Sequence, residues 1–432
     1  MRVFFKTFGC RVNQYETERL RERLLGDGVS VAVPDFETAD VCVVNTCSVT
    51  DEADKDALQL LRRIHRRNPA ARLIVTGCLA TRAAERVRAA APGAIIAGNA
   101  EKESLPELVL RPPAPSCAPE DGARGGRPRA GPAPAYAGLS SFSGHARAFV
   151  KVQDGCDMKC SYCVVPSVRP KLWSRPLPEV EAEARALIAR GHRELVLCGI
   201  RLGRYLVAEG GKRTDLLGLL QRLAALEGDF RLRLSSLEIT DCTDRFLDGY
   251  AALGERVCPS FHLPLQSGAE TVLKRMGRWY GAVFYRRRLM ALRERLPGAA
   301  VFTDLLTGFP GETDEEFDAT RAFAEDAAFS GLHVFRFSAR SGTPAAAMGG
   351  QVPAPELRRR AEALRRLDRS LRGAFAAAAV GSRRRVLVEE SLPKVTAMTD
   401  HFLKVVLDRD PGPGLHWARV VSSSGPDASA VV

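Results

Sequence analysis

Six cysteines stand where their spacing could do chemistry. Three share one loop, "DGCDMKCSYCVVP", as Cys156, Cys160 and Cys163, with the spacing C-x3-C-x2-C and no fourth cysteine nearby. Four thiolates would close a structural zinc site. Three thiolates on an iron–sulfur cubane would leave one iron open to an outside molecule. A catalytic zinc also keeps an open position, but it ordinarily works beside a His or Glu, and the loop holds neither. Plain structural thiols are the remaining reading.

The other three are Cys10 in "TFGCRVNQYETE", Cys47 in "VVNTCSVT" and Cys78 in "IVTGCLA". Each follows a short apolar run with strand character and sits in a Gly- or Asn-containing turn. In open parallel sheets, ligands gather beyond the carboxyl ends of the strands. Three cysteines far apart in the chain are therefore expected to converge on one crevice. The alternative is buried structural thiols, because cysteine is among the most buried residue types. Cys42, inside its strand, fits that description. Cys198, Cys242 and Cys258 have no partner spacing and read as ordinary thiols.

The elements that must position these residues are legible as a βα rhythm. Over residues 1–99, "VFFKTF", "DVCVVNT" and "RLIVTG" read as strands. "YETERLRERLLGDG" and "DEADKDALQLLRRIHRRNP" read as helices, the second with acids first, bases last and a Pro stop. This predicts a parallel α/β domain over 1–110. Residues 111–144 are rich in Pro, Gly and Arg and read as a linker, with Cys117 incidental. From Ala146 the rhythm restarts with "AFVKVQD", "ELVLCG", "RLRLSS", "SFHLPL", "VFTDLLTG" and "LHVFRFS". Six such units with no return strand predict an open, partial barrel over 145–378 that includes a long basic helix at about 354–378. The tail, 379–432, carries short strands such as "RRRVLVEE", "HFLKVVLD" and "HWARVV", as a small β-barrel would.

The bulk numbers agree with a globular protein of two or three domains. The 432 residues are 45% hydrophobic and 26% charged, and 63 Lys and Arg against 51 Asp and Glu leave a net charge of +12. An excess of this sign suits a polyanionic partner, nucleic acid first; an Arg-rich proteome with solvated helix faces is the other explanation. No secretory leader and no membrane span is expected, so the setting is expected to be cytoplasmic. Thiols stay reduced there, so the clustered ones among eleven cysteines point to metal or redox chemistry.

With these motifs in hand, the sequence resembles the radical S-adenosylmethionine methylthiotransferases. The C-x3-C-x2-C loop, with Tyr162 before its last cysteine, carries the superfamily. Cys10, Cys47 and Cys78 carry the family, together with "HLPLQSGAETVLKRMGRWY", "TGFPGETDEEF" and "FRFSARSGTPAAAM". "NQYETE" is most similar to the branch acting on threonylcarbamoyladenosine at position 37 of tRNA. The same chemistry on isopentenyladenosine or on a ribosomal-protein aspartate is the nearest alternative, and a non-catalytic iron–sulfur RNA-binding protein is one of another class.

The resemblance implies an N-terminal α/β domain, a partial (β/α)6 barrel and a C-terminal TRAM-like RNA-binding barrel. It implies two 4Fe-4S clusters, one on Cys156, Cys160 and Cys163, and an auxiliary one on Cys10, Cys47 and Cys78. By the same resemblance, one S-adenosylmethionine would methylate a sulfur carried by the auxiliary cluster, and a second would supply the radical that removes hydrogen from carbon 2 of the adenine. The partners implied are the tRNA anticodon loop, an electron donor such as flavodoxin or ferredoxin, and a sulfur donor.

The expected cofactor contacts are Tyr162 of the cysteine loop and, at barrel strand ends, Gly199, Ser236, Glu238 and Gln266; a surface turn is the alternative for Ser236 and Glu238. Arg340 in "SARSGT" is a candidate substrate contact, with a solvated arginine as the alternative. Gly199 could simply shape a βα turn. Ser267 and Thr313 could cap helices, and His262 reads as a pocket wall rather than a ligand. "VRPKLWSRP" departs from the family by placing Pro170 where Gly is usual, and the tail lacks clear glycine turns.

Overall fold

The computed structural model describes residues 1–26, 28, 30–110, 138–142, 146–390 and 393–432. The 111–144 linker lies almost wholly outside them. The chain forms two compact units, 1–139 and 140–432.

The first unit is a five-stranded parallel sheet. Its strands are β1 (Arg2–Thr7), β2 (Val31–Ala32), β3 (Val41–Thr46), β4 (Arg72–Gly77) and β5 (Ile95–Ala97), in the order β2-β1-β3-β4-β5. All six residues of β3 are buried, as a central parallel strand covered on both faces requires. One face packs on the helix Asp51–Arg67 through Ala57, Leu58, Leu61 and Ile64. That helix starts where the Thr50 hydroxyl accepts the Ala53 N–H. Its Asp51, Glu52 and Asp54 complement the N-terminal end of the dipole, and His65, Arg66 and Arg67 the C-terminal end. The other face packs Leu20 and Leu24 of the helix Arg11–Leu25 on Val3, Val41, Val43 and Ile74. The short edge strands β2 and β5 extend the three strands expected from the sequence.

In the second unit six parallel strands follow one another: β6 (Arg147–Lys151), β7 (Glu194–Cys198), β8 (Arg231–Leu234), β9 (Ser260–His262), β10 (Ala300–Thr307) and β11 (Gly331–Arg336). β6, β7 and β8 pair in register, as do β9, β10 and β11. The bridges Leu232–Val257 and Ser236–His262 join the two halves. Among the described residues no pairing joins β11 back to β6, so the barrel is partial, as the six-unit rhythm predicted.

The helix Ala354–Ala379 packs on β11 and leads into a closed five-stranded barrel. Its strands are β12 (Arg383–Glu390), β13 (Thr396–Thr399), β14 (Lys404–Leu407), β15 (Leu415–Ser424) and β16 (Asp427–Val431), in the order β12-β13-β14-β16-β15. Its core is Val386, Val388, Ala397, Leu403, Val405, Val420 and their neighbours.

This small barrel closes one end of the large one. Arg231 and Arg233 are buried, and both pair with buried Glu194, at 2.6 and 2.7 Å. Their remaining donors reach main-chain oxygens of the small barrel: Arg231 those of Arg385 and Met398, Arg233 those of Thr399 and Asp400. Phe402, from the following turn, packs on Phe302 of β10 and lies under the Arg233 guanidinium. Burial raises the Glu194 carboxyl pKa, and the two arginines reverse this and hold it far below the usual carboxylate range. Among the described residues no helix is long and apolar enough to cross a membrane.

Candidate radical and sulfur-transfer sites

The strand order explains the first trio of cysteines. β1, β3 and β4 are neighbours; Cys47 and Cys78 follow the carboxyl ends of β3 and β4 directly, and Cys10 follows β1 after Phe8 and Gly9. The strand order thus brings the three to one edge of the sheet. Gly9 has φ +94°, and a Cβ there would come within 2.5 Å of the Cys47 Cβ and Sγ. Only glycine lets β1 turn this closely past Cys47. The Val49 N–H reaches the Cys47 sulfur at 3.4 Å, and the Asn99 amide the Cys78 sulfur at 3.7 Å. Burial pushes the Cys47 thiol up to about 11.

The second trio is built in the same way. The loop follows β6, and Gly155 precedes its first cysteine with φ +80°, where a Cβ would meet the Lys171 carbonyl oxygen at 2.1 Å. Asp154 anchors the loop, accepting from Lys151 at 2.6 Å and from Arg169 at 2.7 Å. Main-chain N–H groups reach two sulfurs: Met158 to Cys156 at 3.5 Å and Val165 to Cys163 at 3.4 Å. The charges of Cys156 and Cys160 both act on Cys163, and burial pushes that thiol up to about 12. A thiol held protonated in this way becomes a thiolate when a metal takes the proton's place.

The donor sets fit iron–sulfur cubanes better than single ions. Among the described residues, one set of three His, Cys, Asp or Glu ligand atoms lies mutually within 4.8 Å: His262, Asp304 and His333. Neither cysteine trio is so tight, as three sulfurs sharing one ion would be. A cubane places each cysteine on a separate iron and spaces the sulfurs more widely.

The other expected contacts fall at the same barrel end with different tasks. Ser236 is exposed, and its hydroxyl lies 2.5 Å from His262 Nδ1. Glu238 pairs with Arg278, whose guanidinium also reaches the Cys160 sulfur at 3.4 Å and the Tyr280 hydroxyl at 2.9 Å. Gln266 has φ +73°, rare for a non-glycine residue, and bridges to Leu305 of β10. The Tyr162 ring packs edge-on to Phe309 of "TGFPGET" at 6.5 Å between centroids, so its side chain belongs to the apolar layer.

Gly199 leaves room for Gln153, whose Oε1 accepts the Arg201 N–H at 2.7 Å and whose amide donates to the Gly155 carbonyl at 2.9 Å. That contact ties the loop to the end of β7. Arg340 is buried rather than solvated. The Ser267 hydroxyl accepts the Ala269 N–H, and Thr313 caps its helix reciprocally with Glu316.

Three groups escaped the reading of the sequence. Arg278 lies inside the quoted motif "KRMGRWY" without any spacing that sets it apart. Arg201 pairs with Asp157 in the cysteine loop at 2.8 Å and lies over the exposed Trp279 ring, 4.7 Å from its centroid. Asp304 and His333 meet His262 only because β9, β10 and β11 are adjacent. Burial pushes the Asp304 carboxyl up, but hydrogen bonds from His262 and His333 bring it down to about 2.

The chain is similar to known proteins along most of its length. Residues 2–98 match the model of the uncharacterized protein family UPF0004, and residues 150–324 match that of the radical SAM superfamily. The chain is 34% identical over 391 residues to the threonylcarbamoyladenosine tRNA methylthiotransferase MtaB of Thermotoga maritima, covering 90% of this chain and 86% of that one. It is 36% identical over 414 residues to the MtaB of Bacillus subtilis, covering 94% and 90%. A tRNA-2-methylthio-N(6)-dimethylallyladenosine synthase of Novosphingobium aromaticivorans is 35% identical over 391 residues, covering 89% and 86%. Among solved structures, the radical S-adenosylmethionine methyltransferase TsrM of Kitasatospora setae, with tryptophan and an S-adenosylmethionine analogue bound, shares the fold. Its TM-score is 0.53 at 17% identity, over 80% of this chain and 75% of that one. The α/β unit with three cysteines at one sheet edge, the partial barrel with three more in a single loop, and relatives aligned along nine-tenths of the chain lead to one assignment: the chain belongs to the radical S-adenosylmethionine methylthiotransferase family, which uses S-adenosylmethionine and 4Fe-4S clusters.

Proposed function

We propose that the protein inserts a methylthio group at carbon 2 of N6-threonylcarbamoyladenosine at position 37 of tRNA, in the cytoplasm. Cys156, Cys160 and Cys163 hold the cluster that engages S-adenosylmethionine, and Cys10, Cys47 and Cys78 hold the auxiliary one. The observation that carries the reading is the pair of three-thiol sites, each set behind a glycine that a side chain would block. When bound, the clusters and S-adenosylmethionine supply the one-electron chemistry and the sulfur that acid–base residues cannot.

The chain's own residues orient and shield. Arg278 links the Cys160 sulfur to Glu238, and Gln153 fixes the cysteine loop to β7. The apolar layer of Phe309, Phe337 and Tyr162 keeps water from one side of the loop. The target base is unpaired in an anticodon loop and is free to be splayed into a pocket. The small C-terminal barrel is the TRAM-like segment of the fourfold division 1–110, 111–144, 145–378 and 379–432. Arg383 stacked on the half-exposed Trp417 suits it to nucleic acid. An external electron donor of the flavodoxin or ferredoxin kind and a sulfur donor complete the cycle.

The similar identity to a dimethylallyladenosine enzyme supports that nucleoside as the second reading. Nucleoside mass spectrometry of tRNA from a deletion strain separates the two. The expected result is complete loss of 2-methylthio-threonylcarbamoyladenosine, the unthiolated nucleoside rising in its place, with 2-methylthio-dimethylallyladenosine unchanged. Loss of the dimethylallyl product instead would move the assignment to the second reading.

A further inference from the structure

The relatives leave a question that overall likeness does not answer. Enzymes named for threonylcarbamoyladenosine and for dimethylallyladenosine match this chain at 34–36% and 33–35% identity. The two nucleosides differ in one place, the group on N6. The threonylcarbamoyl group ends in a carboxylate and a hydroxyl, whereas dimethylallyl is wholly apolar. Some side chain in the barrel must sense that difference.

The inner wall of the barrel holds one polar set that suits the task. Strand alternation puts Phe302, Asp304 and Leu306 on one face of β10 and Thr303 and Leu305 on the other. Thr303 faces outward: its hydroxyl donates to the Leu263 carbonyl, which also accepts from Tyr285 of the helix Ala282–Arg295. Asp304 therefore faces inward. It lies between Phe302, packed on Phe402 at the closed end, and Leu306, packed in the layer that includes Tyr162 of the cysteine loop.

Asp304 gathers its neighbours onto one oxygen. His262 Nε2 lies 2.8 Å and His333 Nδ1 3.1 Å from Asp304 Oδ1. Ser236 fixes His262 from behind, at Nδ1. With Nδ1 accepting the Ser236 proton, Nε2–H donates to Asp304, which assigns the tautomer of His262. His333 differs from His262 in being half exposed, and its Nδ1 faces Asp304 Oδ1 at 3.1 Å, with His262 Nε2 3.2 Å away on the same oxygen. The Nε2 of His333 is left to an incoming group. An N–H presented there makes a charge-assisted bond to an incoming anion.

We propose that His333, oriented by Asp304 and His262, is a specificity-determining residue that receives the carboxylate of the threonylcarbamoyl group. The inference rests on the threonylcarbamoyl reading above and names the residue that enforces it. A dimethylallyl group would cover the outer nitrogen of His333 without a partner, and a buried polar group left unpaired rejects the wrong substrate more strongly than an apolar pocket rejects a misfit.

The test is equilibrium binding of the full-length, cluster-loaded protein to three anticodon stem-loops that differ only at nucleotide 37: threonylcarbamoyladenosine, dimethylallyladenosine or adenosine. The wild type is expected to bind the first about tenfold or more tighter than the third. His333→Phe is expected to bring that ratio near one and raise relative binding of the dimethylallyl loop. His333→Gln, which keeps a donor, should retain part of the preference. If either variant misfolds, Asp304→Asn tests the same orientation, with a reduced ratio expected. Should the wild type prefer threonylcarbamoyl and His333→Phe keep that preference with its iron content intact, the assignment of His333 is overturned alone. No preference in the wild type would overturn it together with the substrate reading. One equivalent of zinc or manganese per chain in the wild type, lost in His333→Phe, would instead make the set a metal site and also overturn the assignment.

Discussion

Replacing Cys47 with alanine is expected to leave reductive cleavage of S-adenosylmethionine running while methylthio insertion stops, whereas replacing Cys160 stops both. The two cysteine trios lie in two compact units, and on the proposed function each holds its own cluster. Cys47 lies beyond β3 in the first, Cys160 in the loop after β6 in the second. Loss of an outer-shell partner of a metal ligand already lowers affinity or activity 10- to 100-fold, so losing one of only three ligands is expected to exceed about 100-fold. The check is to follow 5′-deoxyadenosine release and the modified nucleoside in the same reaction, with tRNA binding measured alongside. Cys160→Ala should still bind tRNA. Equal loss of both products in both variants would mean that the two trios do not act separately.

Glu194→Gln is expected to be among the most destabilising single changes in the chain. The carboxylate is the buried partner of both Arg231 and Arg233, and those guanidiniums hold the main chain of the small barrel. Removing one member of a buried, hydrogen-bonded ion set leaves charge uncompensated and costs about 3 to 5 kcal/mol. Urea unfolding followed by proteolysis checks it, and the small barrel should become sensitive together with the large one. Arg222→Ala breaks a surface pair of similar length, 2.8 Å to Glu181, and is expected to leave the midpoint in place. Glu194 also contributes to pH dependence with a definite sign. Its folded-state pKa is depressed, so its stabilisation is present above the ordinary glutamate range and is lost as pH falls through that range and below. A small barrel that stayed resistant in Glu194→Gln would show that it docks by other contacts.

What was legible in the sequence follows from how local each signal was. The three cysteine-bearing edges of the first unit and all six barrel strands were readable because runs such as "VCVVNT" and "VFTDLLTG" are apolar enough to be strands in any context. The helix Ala354–Ala379 announced itself by length and period. β2 and β5, of two and three residues, are too short to carry a period. β16 reads "DASAV", with little strand propensity, and forms because β14 and β15 offer it edges. "RLRL" alternates as a half-buried strand would, which by period alone sends the arginines to solvent. Both are buried, because Glu194 and four distant carbonyls take their charge and hydrogen bonds. The polar set of His262, Asp304 and His333 was hidden for the same reason, its members being 29 to 71 residues apart and adjacent only across strands.

The measurement closest to the central claim is the iron and sulfide content of the anaerobically reconstituted protein, compared between the wild type and two triple alanine variants. Two cubanes on two three-cysteine sites predict about eight irons per wild-type chain. About four should remain when Cys10, Cys47 and Cys78 are replaced, and about four when Cys156, Cys160 and Cys163 are replaced instead. A wild type with about four irons, unchanged by loss of Cys10, Cys47 and Cys78, would contradict the account.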